Sequence, residues 1–184
     1  MEHIVERVWE HLGDVVAQAE RVLQSNADDD ALIEAFCAIQ ARTAQFMFTS
    51  QEASDWRLFM ARQQSGGGPA AGFQLFFERV NRRMRAVTAG IVGQLLGLPA
   101  TADETQIRTM SLNGQLTVFQ VIRRSALASL NWESVDAARL GLLQRIIREH
   151  TTILLRSMMA TRDAAHRARG RGGQAVPSRA RPRR

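Results

Sequence analysis

The chain has 184 residues, 45% of them apolar, enough for one domain with a sizeable core, and a formal net charge of +6. That charge is uneven: 8 of the 24 Arg and one of the 18 acids lie from Ala160 onward, leaving 16 Arg against 17 acids in residues 1–159. A neutral body confines to the tail the nucleic-acid reading that the net charge invites, and a single cysteine, Cys37, excludes an intramolecular disulfide or a CxxC metal or redox pair.

No apolar run approaches the roughly 18 residues of a membrane span. The start, MEHIVERVWEHL, lacks the basic opening and small-residue cleavage site of a signal peptide. A soluble, cytoplasmic protein with no membrane contact is expected. Every basic residue is Arg and there is no Lys or Tyr, a bias that carries no functional reading.

Apolar positions recur at helical spacing throughout, so the expected fold is all-α with about six helices. The first helix carries Ile4, Val8, Leu12, Val15, Val16, Ala19, Val22 and Leu23 on one face and stops near Ser25. Asp28 to Asp30 provide the cap and acidic first turn of a second, which continues through Leu32, Ile33, Phe36, Cys37, Ile39, Phe46 and Met47 to about Phe48. A short third helix starts at Ser50, points Trp56, Phe59 and Met60 inward, and ends before Ser65-Gly66-Gly67-Gly68-Pro69.

The fourth helix, about 70–96, has a wide stripe of Phe73, Phe76, Phe77, Val80, Met84, Val87, Ile91, Val92 and Leu95. Gly97-Leu98-Pro99 then reads as a left-handed cap, an apolar contact and a stop. Thr101 to Glu104 match the capping-box pattern, opening a fifth helix that should run to about Leu130. The sixth starts between Ser134 and Asp136 and ends near Met159, with a seam of Leu140, Leu143, Ile147, His150, Leu154 and Met158 beside a second stripe of Leu142, Ile146 and Ile153. A helix apolar over so much of its surface must pack on two sides. Residues 1–160 thus form one helical domain, and 161–184, rich in Arg, Gly, Ala and Pro, read as a disordered basic tail.

Catalytic signatures are missing. His3, His11, His150 and Cys37 sit on helical patterns and His166 in the tail, with no GxSxG, no i, i+4 histidine pair and no P-loop Lys or Ser/Thr after the glycines at 66–68. The reading is of a non-enzyme with no cofactor and no metal. The Arg-rich tail can meet phosphate backbones nonspecifically, but it has no aromatic residue to stack on bases.

One segment is odd: residues 110–122, MSLNGQLTVFQVI, put Asn113, Gly114 and Gln115 at the centre of an apolar helix. Gly costs a helix interior about 1 kcal/mol relative to Ala, and buried amides need partners. Close approach of another helix at Gly114, and polar contacts from Asn113 and Gln115 to a ligand or a second subunit, would offset both.

The segments WRLFMARQQ (56–64), PAAGF (69–73) and RTMSLNGQLTVFQVIRRSALASLNW (108–132) resemble the C-terminal effector-binding and dimerisation region of TetR-family transcriptional regulators, of the CecR type, over roughly residues 1–159. The glycines at 66–68 lengthen a connection the family keeps tighter. The resemblance implies a helical bundle in which the last two helices of each subunit pair into an intersubunit four-helix bundle. Met1 falls where the long helix linking the family's helix-turn-helix to this region would already be under way, so this reading expects the DNA reader to be missing and no sequence-specific DNA binding.

The expected function is the ligand-sensing and homodimerising core of such a regulator. A stand-alone helical dimer that sequesters a small molecule or pairs with a full-length regulator is the alternative, and nonspecific nucleic-acid contact through the tail is a third. The ligand-binding candidates are Trp56, Met60, Phe77, Asn113, Gln115 and Phe119; the dimer candidates are Gly114, Leu143, Ile147, His150 and Leu154.

Overall fold

A computed structural model describes residues 2–25, 27–50 and 77–172. Six α-helices make up the described residues, with no strand among them: α1 (Glu2–Gln24), α2 (Asp29–Thr49), α3 (Arg82–Leu96), entered through a π-helical turn at Phe77–Asn81, α4 (Asp103–Val121), α5 (Arg123–Ser129) and α6 (Ala137–Gly172). The expected third helix, with Trp56, Phe59 and Met60, lies outside the described residues, as does the start of the fourth with Phe73 and Phe76. No helix among the described residues is long and apolar enough to cross a membrane.

The central element is α2, which begins where Asp28 accepts a hydrogen bond from the Ala31 N–H at 2.8 Å. Its apolar residues point in several directions: Leu32, Ile33, Phe36, Ile39, Phe46 and Met47 are all buried. It can be surrounded because α1 folds back on one side, α3 lies on another and α6 runs antiparallel on a third. One core cluster gathers Val16 and Ala19 of α1, Phe36 of α2, Ile91 and Leu95 of α3, Leu112 of α4 and Leu155 of α6. A second, toward the other end of α2, gathers Val8, Leu12, Phe46, Val80, Leu116, Leu140 and Ile147.

Polar ties fix the layers. Along the α2–α6 contact, Glu34 pairs with Arg148, Asp30 with Arg156 at 2.8 Å and Asp29 with Arg162 at 3.8 Å, while Gln144 donates to the Ala41 carbonyl at 2.9 Å. The Glu34–Arg148 and Asp30–Arg156 pairs are exposed, so they align the helices more than they stabilise them. Between α1 and α3, Arg83 grips Glu20 with two hydrogen bonds of 2.7 and 2.6 Å while lying over the Trp9 ring. That grip holds the Glu20 carboxyl below its usual range. Cys37 is buried, and burial pushes its thiol up and away from the reactive thiolate form.

The stop after α3 has the expected geometry. Gly97 is left-handed (φ 66°), its N–H reaches the Gln94 carbonyl, and the Leu98 N–H reaches the Gly93 carbonyl at 2.9 Å, the paired bonds of a Schellman cap. Gly93 has to be small, since a Cβ there would meet the Leu98 carbonyl oxygen at 2.8 Å.

Three expectations are corrected. The capping box at 101–104 does not form: α4 starts after Ala102 with no side-chain cap, Gln106 reaches back to the Ala100 carbonyl at 2.6 Å, and Glu104 pairs with Arg108 instead. The fifth helix is not continuous but breaks at Ile122 (φ −109°, ψ 34°), where the adjacent β-branched Val121 and Ile122 are poor helix formers. Finally, α6 does not end near Met159 but continues through Gly172, so 161–172 are helical; residues 173–184 lie outside the described ones. Ala and Arg, read as tail composition, are also strong helix formers. Arg162 pins this extension by donating to the Leu95 carbonyl at 2.6 Å, capping the C-terminal end of α3.

Candidate functional site

Where α1 to α4 and the π turn diverge, beside the second core cluster, they enclose a cavity of about 340 Å³. Val8, Leu12, Ile39, Phe46, Val80 and Leu116 supply much of the apolar wall. The π turn brings Val80 and Asn81 to the cavity, and one turn later α3 brings Met84 and Arg85. From α4 come Gln106, Thr109, Met110, Asn113, Gly114 and Thr117. Apolar walls with a few polar groups are the make-up of small-molecule sites.

Most of the polar groups are already engaged. Thr43 and Thr109 donate to the carbonyls of Ile39 and Thr105 on their own helices, at 2.8 and 2.7 Å. Gln40 uses both ends of its amide: its nitrogen donates to the Leu112 carbonyl at 2.9 Å, and its oxygen accepts from the Thr151 hydroxyl at 2.9 Å. Gln106 donates to Ala100 and accepts from Arg85 at 3.4 Å.

The candidate ligand residues are divided by this geometry. Asn113 lines the cavity, whereas Gln115 faces α6, donating to Thr151 Oγ1 at 3.1 Å and to the Leu112 carbonyl at 3.2 Å. Its amide joins the Gln40–Thr151 network and so has a structural use. Phe119 does not line the cavity but packs edge-on against Phe48, with ring centroids 6.4 Å apart. Phe77 opens the π turn, its side chain outside what is described, and Trp56 and Met60 fall wholly outside the described residues.

Gly114 also lines the cavity, and a Cβ there would meet nothing within 4 Å. No helix among the described residues therefore requires the glycine. Gly114→Ala is expected to raise stability by about 0.5–1 kcal/mol through helix propensity and a less flexible unfolded chain, read as a higher urea midpoint. Destabilisation would mean that a second subunit sits against it.

The residues proposed for the dimer seam part company too. Leu143 and Ile147 are buried within the chain, in line with Thr151 and Leu155, while His150 and Leu154 are exposed. Six of the eight exposed large apolar side chains among the described residues lie on two helices, Ile107, Met110, Val118 and Val121 on α4 and Ile153 and Leu154 on α6, while Ile122 and Leu130 flank α5. A groove lined by Ile107, Ser111, Leu112, Leu154 and Met158 joins the two helices.

Sequence reasoning missed Arg85, Asn81 and Gln106. The available signal was polar residues falling at i, i+4 beside an apolar stripe, Asn81 and Arg85 next to Val80 and Met84. Among the described residues, no group of three or more His, Cys, Asp or Glu is placed to hold a metal ion.

Residues 32–158 match the family described as the HTH-type transcriptional dual regulator CecR, C-terminal domain. No curated protein matches the chain.

Proposed function

We propose, on the premise that this chain belongs to the CecR C-terminal domain family, that it is the effector-binding and dimerising core of a TetR-like transcriptional regulator. Two halves of the molecule divide the work. The cavity between α1 and α4 takes a small molecule, and the outer face of α4 and α6 takes a second copy of the chain.

The observation that carries this reading is the grouping of exposed apolar residues on α4 and α6. Ile153 is 64% exposed, Ile107 59% and Val121 58%, and they belong to two helices joined by one groove. Single exposed apolar side chains need no explanation, but a shared patch of them marks an interaction surface. Ser111 lines the same groove and its small side chain leaves room for close approach. A second copy laid against this face would bury the patch in an interface of ordinary size, about 1,200–2,000 Å² in total.

Effector binding then acts by population shift: a ligand favours whichever dimer arrangement gives its cavity the better fit. Sedimentation velocity at micromolar concentration is the direct test. A dimer is expected, and a well-folded single copy would remove the regulator-core reading.

A further inference from the structure

We infer that the cavity selects an organic anion, an apolar body ending in a carboxylate or sulfonate, with Arg85 as the residue that recognises the charge. This rests on the cavity being a ligand site, as proposed above, and adds which chemistry it takes.

Among the described residues, Arg85 is the only charged residue lining the cavity and no carboxylate lines it. Its neighbours on α3 are placed differently: Arg82 is exposed to solvent, and Arg83 is held by Glu20 with two short hydrogen bonds. Arg85 is half-buried and forms no ion pair among the described residues, its one hydrogen bond being the long contact of 3.4 Å to Gln106 Oε1. A guanidinium has five N–H donors, so most of those on Arg85 are uncommitted.

Other uncommitted polar groups flank it. Asn81 lies one helical turn before Arg85, and Asn113 comes from α4. Neither side chain makes a hydrogen bond among the described residues, in contrast to Gln40, Thr43, Gln106 and Thr109, which are engaged. The groups left over among the described residues are thus a cation, two amides and the Thr117 hydroxyl, beside an apolar wall. A neutral ligand would strip water from the guanidinium and return nothing. An anion returns charge-assisted hydrogen bonds, two in parallel if it meets the planar fork as carboxylates do.

The test uses two probes with the same aromatic body, 1-anilinonaphthalene-8-sulfonate, which is anionic, and N-phenyl-1-naphthylamine, which is neutral. Each is titrated by fluorescence into the full chain and into Arg85→Gln, Arg85→Lys and Gly114→Leu, with circular dichroism to verify folding. Gly114→Leu grows into the cavity, because nothing stands within 4 Å of its Cβ position, and should abolish site binding of both probes.

Arg85→Gln is expected to weaken the sulfonate by about tenfold or more and the neutral probe by less than about twofold, with Arg85→Lys between, as loss of a charge-assisted contact requires. If Gly114→Leu blocks both probes but Arg85→Gln leaves the sulfonate unchanged, the anion proposal is overturned and the ligand cavity stands. If neither probe binds, or both bind Gly114→Leu undiminished, the cavity reading falls and the proposal with it.

Discussion

Arg in place of Ile153 is expected to turn the proposed dimer into a folded monomer. Ile153 is the most exposed large apolar side chain among the described residues, at 64%, so in the isolated chain an Arg there keeps its charge in water and disturbs no packing. In the proposed dimer the two symmetry-related Arg side chains would be pressed into a contact made largely of apolar side chains. An unpaired charge in such a place costs about 3–5 kcal/mol, which is a loss of affinity of 100-fold or more. Sedimentation should show a monomer at concentrations where the unaltered chain is dimeric, with an unchanged helical circular dichroism spectrum. A dimer of undiminished affinity would take the contact off this part of α6.

Ile147→Arg, six residues earlier on the same helix, has a different expected result: loss of the fold. Ile147 is only 6% exposed and packs in the core cluster with Val8, Phe46, Leu116 and Leu140. The charge has no water and no partner there, and the penalty, again about 3–5 kcal/mol with overpacking on top, consumes much of the 5–15 kcal/mol that holds a typical domain together. Circular dichroism with urea titration reads it as a collapse of the unfolding midpoint at every protein concentration. A folded Ile147→Arg variant would place this residue outside the chain's own core.

The contrast between those two residues marks how far the sequence was legible. The buried stripe of α6 runs Leu140, Leu143, Ile147, Thr151, Leu155. Spacings of three and four are equally helical, so after Ile147 the apolar pattern could follow His150 and Leu154 or pass through Thr151 to Leu155. Hydropathy favours neither a histidine nor a threonine. Thr151 is inside because Gln40 and Gln115 satisfy its hydroxyl, a partnership between helices more than 30 residues apart in the chain that no local pattern exposes.

Other elements were written locally and read locally. The Asp28 cap, the Gly97-Leu98-Pro99 stop and the inward face of α1 each depend on neighbours within a turn or two. For the cavity the sequence identified the odd segment around Asn113, but only Asn113 of its two amides lines the wall, since residues two apart on a helix face in different directions and Gln115 bonds to Thr151. Arg85 was hidden among Arg79, Arg82 and Arg83, a cluster in which only three-dimensional placement tells a paired surface cation from one facing a cavity.

Gln40 has one further consequence. It forms part of the cavity wall, yet its amide is clamped between the backbone of α4 at Leu112 and the hydroxyl of Thr151 on α6. Turning that side chain aside would break two buried hydrogen bonds, at roughly 0.5–1.5 kcal/mol each, so it behaves as a stiff strut. An occupant that pushes on Gln40 would displace α4 and α6 as well, the helices whose outer surfaces are proposed to meet a second copy. In that reading the side chain that shapes the hollow also sets the spacing of the two rods at the subunit contact.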